Sequence, residues 1–186
     1  MSIGPGLATE AGCALAIGAY PRFQYDGRGG GGVAFPSEPL GAGWRSLTFD
    51  PASLVIPPLS RHTTRFLRVP LPPGLRIAIE PLRLAGRWHP ESGRVELEFL
   101  ARFRPLLAAR PVAPDLVVAT LLATRTVEGR RHQAEGTPLD AQGRGVLVGI
   151  ATVEPTGSAW VDRFLGLPDE ALAVLRCRIS TKRSLP

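Results

Sequence analysis

Apolar and polar residues alternate with a period of two along much of the chain. The clearest stretch is Arg94 to Arg104, where Val95, Leu97, Phe99, Ala101 and Phe103 alternate with Arg94, Glu96, Glu98, Leu100, Arg102 and Arg104. A half-buried strand produces this pattern, because successive side chains leave the backbone on opposite faces. Upstream, Leu82, Leu84, Gly86 and Trp88 alternate with Arg83, Ala85, Arg87 and His89, and Pro90-Glu91-Ser92-Gly93 supplies turn residues between the two runs. Taking those four residues as the loop sets Trp88 opposite Val95, Gly86 opposite Leu97 and Leu84 opposite Phe99 on one face. On the other face Arg87 meets Glu96. A slip of one residue would oppose apolar to charged side chains throughout.

Further extended segments are predicted at Ala14–Tyr25, Trp44–Phe49, Arg65–Leu71, Leu75–Glu80, Leu116–Val127 and Gly145–Val153. The last two, with His132–Gly136 between them, suggest a three-stranded meander. Ser158–Leu165 reads as a helix, with Ser158 at the N-cap, Trp160, Val161 and Phe164 on one side, and Gly166 as the stop. Leu172–Ile179 reads as a short turn and a final strand. About eight to ten short strands with one or two short helices near the C-terminus describe a single antiparallel β-barrel or sandwich. At 186 residues the chain is expected to be one all-β domain over 1–186, with 1–10 and 181–186 as loose tails.

Composition sharpens this picture. Gly and Pro number 21 and 19, too many for long helices, while 44% hydrophobic residues exclude wholesale disorder. Lys+Arg exceeds Asp+Glu by 22 − 16 = 6, and Lys182 is the only lysine. The excess is local: Arg61–Arg110 holds ten Arg and four Glu, which is the whole +6. Ala11–Tyr20 is too short an apolar run to span a bilayer, and no cation precedes it, so a targeting segment is not expected. The expected location is cytoplasmic or peripheral to a membrane.

Signals for chemistry are weak. Gly27-Arg28-Gly29-Gly30-Gly31-Gly32 satisfies G-x-G-x-x-G, but Val33-Ala34-Phe35-Pro36 follows in place of the helix that a dinucleotide site needs, so a flexible loop is expected. His62, His89 and His132 show no metal-ligand spacing, and Cys13 with Cys177 makes no metal pair, so no metal and no cofactor is assigned. The two cysteines fall in the first and last candidate strands and are read as buried free thiols, though neighbouring strands would also permit a disulfide. No nucleophile elbow or paired carboxylates appear, and no catalytic residue is assigned. Nucleic acid is disfavoured because Trp88, Phe99 and Phe103 fall on the face opposite the arginines.

The remaining signal is charge. Arg83, Arg87, Arg94, Arg102 and Arg104 are predicted on one face of the hairpin, with His89 at its edge. The leading expectation is a non-catalytic binding or accessory domain docking through this face on an acidic protein or an anionic membrane. The alternative is a β-barrel carrier of an apolar small molecule such as a lipid or pigment. An enzyme stands third. The first two differ in whether the interior is filled or hollow.

Overall fold

The computed structural model describes residues 3–181. In chain order the strands are β1 (Gly6–Thr9), β2 (Cys13–Ile17), β3 (Phe23–Tyr25), β4 (Gly31–Val33), β5 (Pro39–Gly41), β6 (Trp44–Thr48), β7 (Leu59–Ser60), β8 (Thr64–Phe66) and β9 (Val69–Pro70). They continue as β10 (Leu75–His89), β11 (Arg94–Leu107), β12 (Arg110–Pro111), β13 (Leu116–Ala123), β14 (Val127–Glu128), β15 (Gln133–Ala134), β16 (Arg144–Val153) and β17 (Asp169–Ser180). The α-helix α1 (Ala159–Leu165) lies between β16 and β17. All ladders are antiparallel, so the expected all-β class holds, with more and more uneven strands than the eight to ten foreseen. No described helix is long and apolar enough to cross a membrane.

Among the described residues, fifteen strands form one sheet whose main path runs β5-β6-β10-β11-β13-β16-β17-β2-β3-β8-β9. The path is open, not a ring, and the sheet curves so that its two halves pack on each other. Leu84 and Trp88 of β10, Val95 and Leu97 of β11 and Leu122 of β13 meet Leu7 of β1, Leu147 of β16 and Cys177 and Ile179 of β17 in one core cluster. This is sandwich-like packing.

The β10–β11 hairpin has the predicted register: Trp88 opposite Val95, Gly86 opposite Leu97, Leu84 opposite Phe99 and Arg87 opposite Glu96. What the pattern concealed is that Leu75–Glu80 belongs to the same strand. A bulge between Pro81 and Arg83 inserts one residue, which turns the inward set from Leu75, Ile77 and Ile79 to Leu84, Gly86 and Trp88.

Several expectations are corrected. Residues 6–9 are not a loose tail: β1 pairs with β17 and β4, and Leu7 is buried. Of the other tail, 182–186 lie outside the described residues. The predicted meander does not form, because β13 pairs directly with β16 while β14 and β15 make a separate two-stranded ribbon. That ribbon covers the outer face of the sheet, where Ala134 joins Ala16, Val148 and Leu172. The Gly27–Gly32 segment is only partly loop. Gly31, at φ 132°, runs so close to the Leu7 carbonyl that no Cβ fits, and β4 begins there. In α1, Gly166 closes the helix in the left-handed region at φ 71°, as predicted. Ser158 is the N-cap residue, but its side chain makes no capping bond; Asp162 instead accepts from the backbone N–H groups of Thr156 and Gly157. Trp160, Val161 and Phe164 all border the same cavity, Val161 buried and the other two 60% and 63% exposed.

Candidate functional site

The structure does bring the predicted arginines together on the outer face of β10–β11, but it brings carboxylates to them. Arg83 pairs with Glu98 at 2.8 Å and Arg87 with Glu96 at 2.8 Å. Arg102 pairs with Glu80 at 3.1 Å, and Arg104 with Asp115 at 3.3 Å. Arg94 and Arg87 stack over the Trp44 ring, 5.2 and 4.4 Å from its centre, and His89 meets the same ring edge-on at 5.5 Å. Counted over the hairpin alone, only Glu96 and Glu98 offset the arginines. Glu80, placed by the bulge, and Asp115, supplied by the segment before β13, pair with Arg102 and Arg104, while Arg94 has no carboxylate partner among the described residues. The face is a ladder of exposed ion pairs. His62 and His132 lie elsewhere: His62 is in the turn after β7, and the His132 backbone N–H reaches Glu170.

At β16–β17 a second cluster is fixed by acids. Asp169 is buried and pairs with Arg131 at 2.7 Å and Arg130 at 3.2 Å. The backbone N–H of Glu170, together with both guanidinium groups, holds the Asp169 carboxyl below the usual carboxylate range despite burial. Glu170 accepts from the backbone N–H groups of Arg130 and Arg131. This clamp ties the turn of the β14–β15 ribbon to the start of β17.

The cysteines are both free and buried. Burial pushes the Cys177 thiol up to about 12, and raises Cys13 as well. Neither has the electropositive, accessible setting of a reactive thiol.

The feature not foreseen in detail is a hollow. The interior is packed at the Trp88 end of the β10–β11 hairpin and empty at the other, where a cavity of about 480 Å³ lies between Ile77, Ile79, Phe99 and Phe103 on one side and Leu15, Phe23, Ala151, Ala171 and Ala173 on the other. The size is that of small-molecule sites, roughly 300–1,000 Å³. Small side chains create the space. Gly149, Ala151, Ala171 and Ala173 occupy successive inward positions of β16 and β17, so nothing fills the volume facing the two phenylalanines. Gly149 also lets β16 approach β13, since a Cβ there would stand 2.8 Å from the Leu121 carbonyl. The large inward residues Ile77, Phe99 and Phe103 are only half-buried, because they border an open cavity.

Among the described residues, no charged side chain lines the cavity. Its hydroxyl and thiol groups all have partners within the protein. Tyr25 Oη donates to the Pro57 carbonyl at 2.6 Å, Thr120 Oγ1 to Ile150 at 2.8 Å and Cys13 Sγ to Glu10 at 3.2 Å. Thr9 Oγ1 donates to Gly27, and Thr64 Oγ1 lies 3.2 Å from Thr63 Oγ1. Burial raises the Tyr25 phenol well above its ordinary value, so it stays a neutral donor. The wall therefore presents carbon. Val112, Trp160 and Phe164 are exposed lining residues at one end of the cavity, and Val55 is exposed elsewhere on its wall. At that end the α1 backbone is fastened by Tyr20, whose hydroxyl donates to the Phe164 carbonyl at 2.6 Å with the two rings 5.8 Å apart.

The signal for this cavity in the sequence is the run of small residues at alternate positions in Gly149–Ala151 and Ala171–Ala173, opposite strands with phenylalanine at the same period. No family model, curated protein or solved structure matches this chain.

Proposed function

We propose that the protein binds and carries an uncharged, apolar small molecule in the hollow between the halves of its sheet. The observation that carries this reading is the cavity of about 480 Å³ whose wall offers neither a charge nor an unpaired hydroxyl. Apolar surface entering it leaves water at a gain of roughly 25 cal/mol per Å². A carboxylate entering it would lose its hydration with no counter-charge to replace it, which costs several kcal/mol. The carrier reading, second in the sequence, is thus better supported than docking through the hairpin arginines, four of which already pair with carboxylates.

The test is a fluorescence titration with matched pairs that differ only in the head group, a long-chain alcohol against its fatty acid and retinol against retinoate, at neutral pH. The neutral member should bind at one equivalent and the carboxylate at least tenfold more weakly. Equal affinity for both members would contradict an uncharged ligand, and binding of neither would contradict the carrier reading itself.

A further inference from the structure

The end of the cavity that carries Val112, Trp160 and Phe164 is a crown of turns. The ladders bring the end of β2, the start of β3, the β8–β9 turn, the start of β10, the end of β11 and the β16–α1–β17 connection to this one end. Among its exposed prolines, alanines and glycines stand large apolar side chains and arginines. Leu67, Val69, Leu107, Val112, Trp160 and Phe164 are all exposed.

Leu67 is the most informative. Phe66 pairs with Val69, leaving a two-residue turn in which Leu67 and Arg68 both have positive φ, at 51° and 68°. Turns of this form favour Asn and Gly, because a Cβ is strained there. Leu67 is also 65% exposed, so packing returns nothing for that strain. Neither turn chemistry nor the core accounts for leucine at this position.

The charges at this end differ from those of the hairpin face. Arg68, Arg110 and Arg163 are exposed, and none has an ion-pair partner among the described residues. Asp115 is engaged by Arg102 and Arg104, and Asp162 accepts from Thr156 and Gly157, which leaves Glu154 as the acid there without a partner.

We propose that this rim is a membrane-docking surface, seating Leu67, Trp160 and Phe164 at the interface of an anionic bilayer while Arg68, Arg110 and Arg163 meet its headgroups. Exposed aromatic and aliphatic side chains ringed by arginine match the apolar boundary and negative surface of such a bilayer. The rim is continuous with the cavity, since Val112, Trp160 and Phe164 belong to both. An uncharged apolar cargo is dissolved in lipid, so this rim placed against the bilayer lets it pass without crossing water. That last point rests on the carrier reading; the surface contact does not.

The experiment is flotation with phosphatidylcholine vesicles, with and without phosphatidylglycerol, of the full chain and its Leu67→Asn and Arg68→Gln variants. Cavity loading is followed separately, without vesicles, by diphenylhexatriene fluorescence. Asparagine suits a left-handed turn, so Leu67→Asn should melt no lower than wild type. Its partition onto anionic vesicles should fall about tenfold. Arg68→Gln should lower binding about fivefold on anionic vesicles and leave neutral ones unchanged. Both variants should load diphenylhexatriene as wild type does. Wild type that ignores anionic vesicles, or a Leu67→Asn protein that floats equally well, would overturn the rim assignment. So would a concentration-dependent dimer abolished by Leu67→Asn in the absence of flotation, which would assign the rim to a second copy. Loading that fails while flotation succeeds would remove the carrier reading and leave the rim standing.

Discussion

Leu84 and Phe99 face each other across the β10–β11 ladder at the boundary between packed interior and cavity. Toward Trp88 and Val95 every inward position belongs to the close-packed core. Toward Ile77 and Phe103 the same hairpin borders empty space. One hairpin thus performs two tasks, anchoring the fold at one end and forming a ligand wall at the other.

Truncations along this hairpin should therefore have unequal costs. Leu97 is 1% exposed, and Leu97→Ala should lose ~2–5 kcal/mol in urea denaturation. Trp88→Ala should lose ~3–5 kcal/mol. Trp88→Phe should lose far less, because the indole Nε1 finds no acceptor among the described residues. Ile77→Ala, at the cavity wall, should lose under ~1.5 kcal/mol, since its side chain already borders a void. Equal losses at Ile77 and Leu97 would mean that the two ends are packed alike.

The cross-strand pair Arg87–Glu96 should couple weakly. Both side chains keep contact with water, and a double-mutant cycle should give ~0.2–1 kcal/mol, falling as salt is added. A coupling well above this, or one insensitive to salt, would show that the pair is more desolvated than the structure has it.

How far the sequence reveals all this depends on the range of the interactions. The β10–β11 register was legible because alternation, a turn signal and one charge pair all act locally and agree. Strand β1 was not: Gly6-Leu7-Ala8-Thr9 carries little pattern and forms by pairing with β4 and with β17, at the far end of the chain. The matching of the arginines was likewise hidden, since Glu80 joins them through a bulge and Asp115 from outside the hairpin. Filled and hollow interiors share one period-two pattern. Only the opposing strands distinguish them, by Gly149, Ala151, Ala171 and Ala173 in place of large residues.

Alkaline pH should destabilise the protein through its buried acids. The Cys177 thiol rises from 9.0 to about 12 in the fold, so below pH 9 it is protonated in both states and contributes no pH dependence. Above pH 9 the unfolded chain loses that proton while the folded chain keeps it, and stability falls, at up to ~1.4 kcal/mol per pH unit, until the folded value is passed. Cys177→Ala should flatten this limb of the stability curve. Tyr25, also raised by burial, adds a further decline above its ordinary value of 10.0. Stability independent of pH from 9 upward would contradict the burial of both groups.

Acid should act at the opposite corner. The folded value of Asp169 is depressed, so its contribution is present above the ordinary carboxylate value and is lost as pH falls through the folded one. Asp169→Asn should remove that loss and free the turn at 130–131. Hydrogen exchange of the Arg130 and Arg131 amides, which are held by Glu170, should then quicken. Unchanged exchange would show that Glu170 suffices without Asp169.

The most direct measurement is native mass spectrometry of the protein purified from its own source, without detergent or organic solvent, beside an Ala171→Phe variant that fills the cavity from β17. Wild type should carry one neutral, apolar adduct per chain, and the folded variant should carry none. Wild type without any adduct, or a variant that retains the same adduct, would contradict the account.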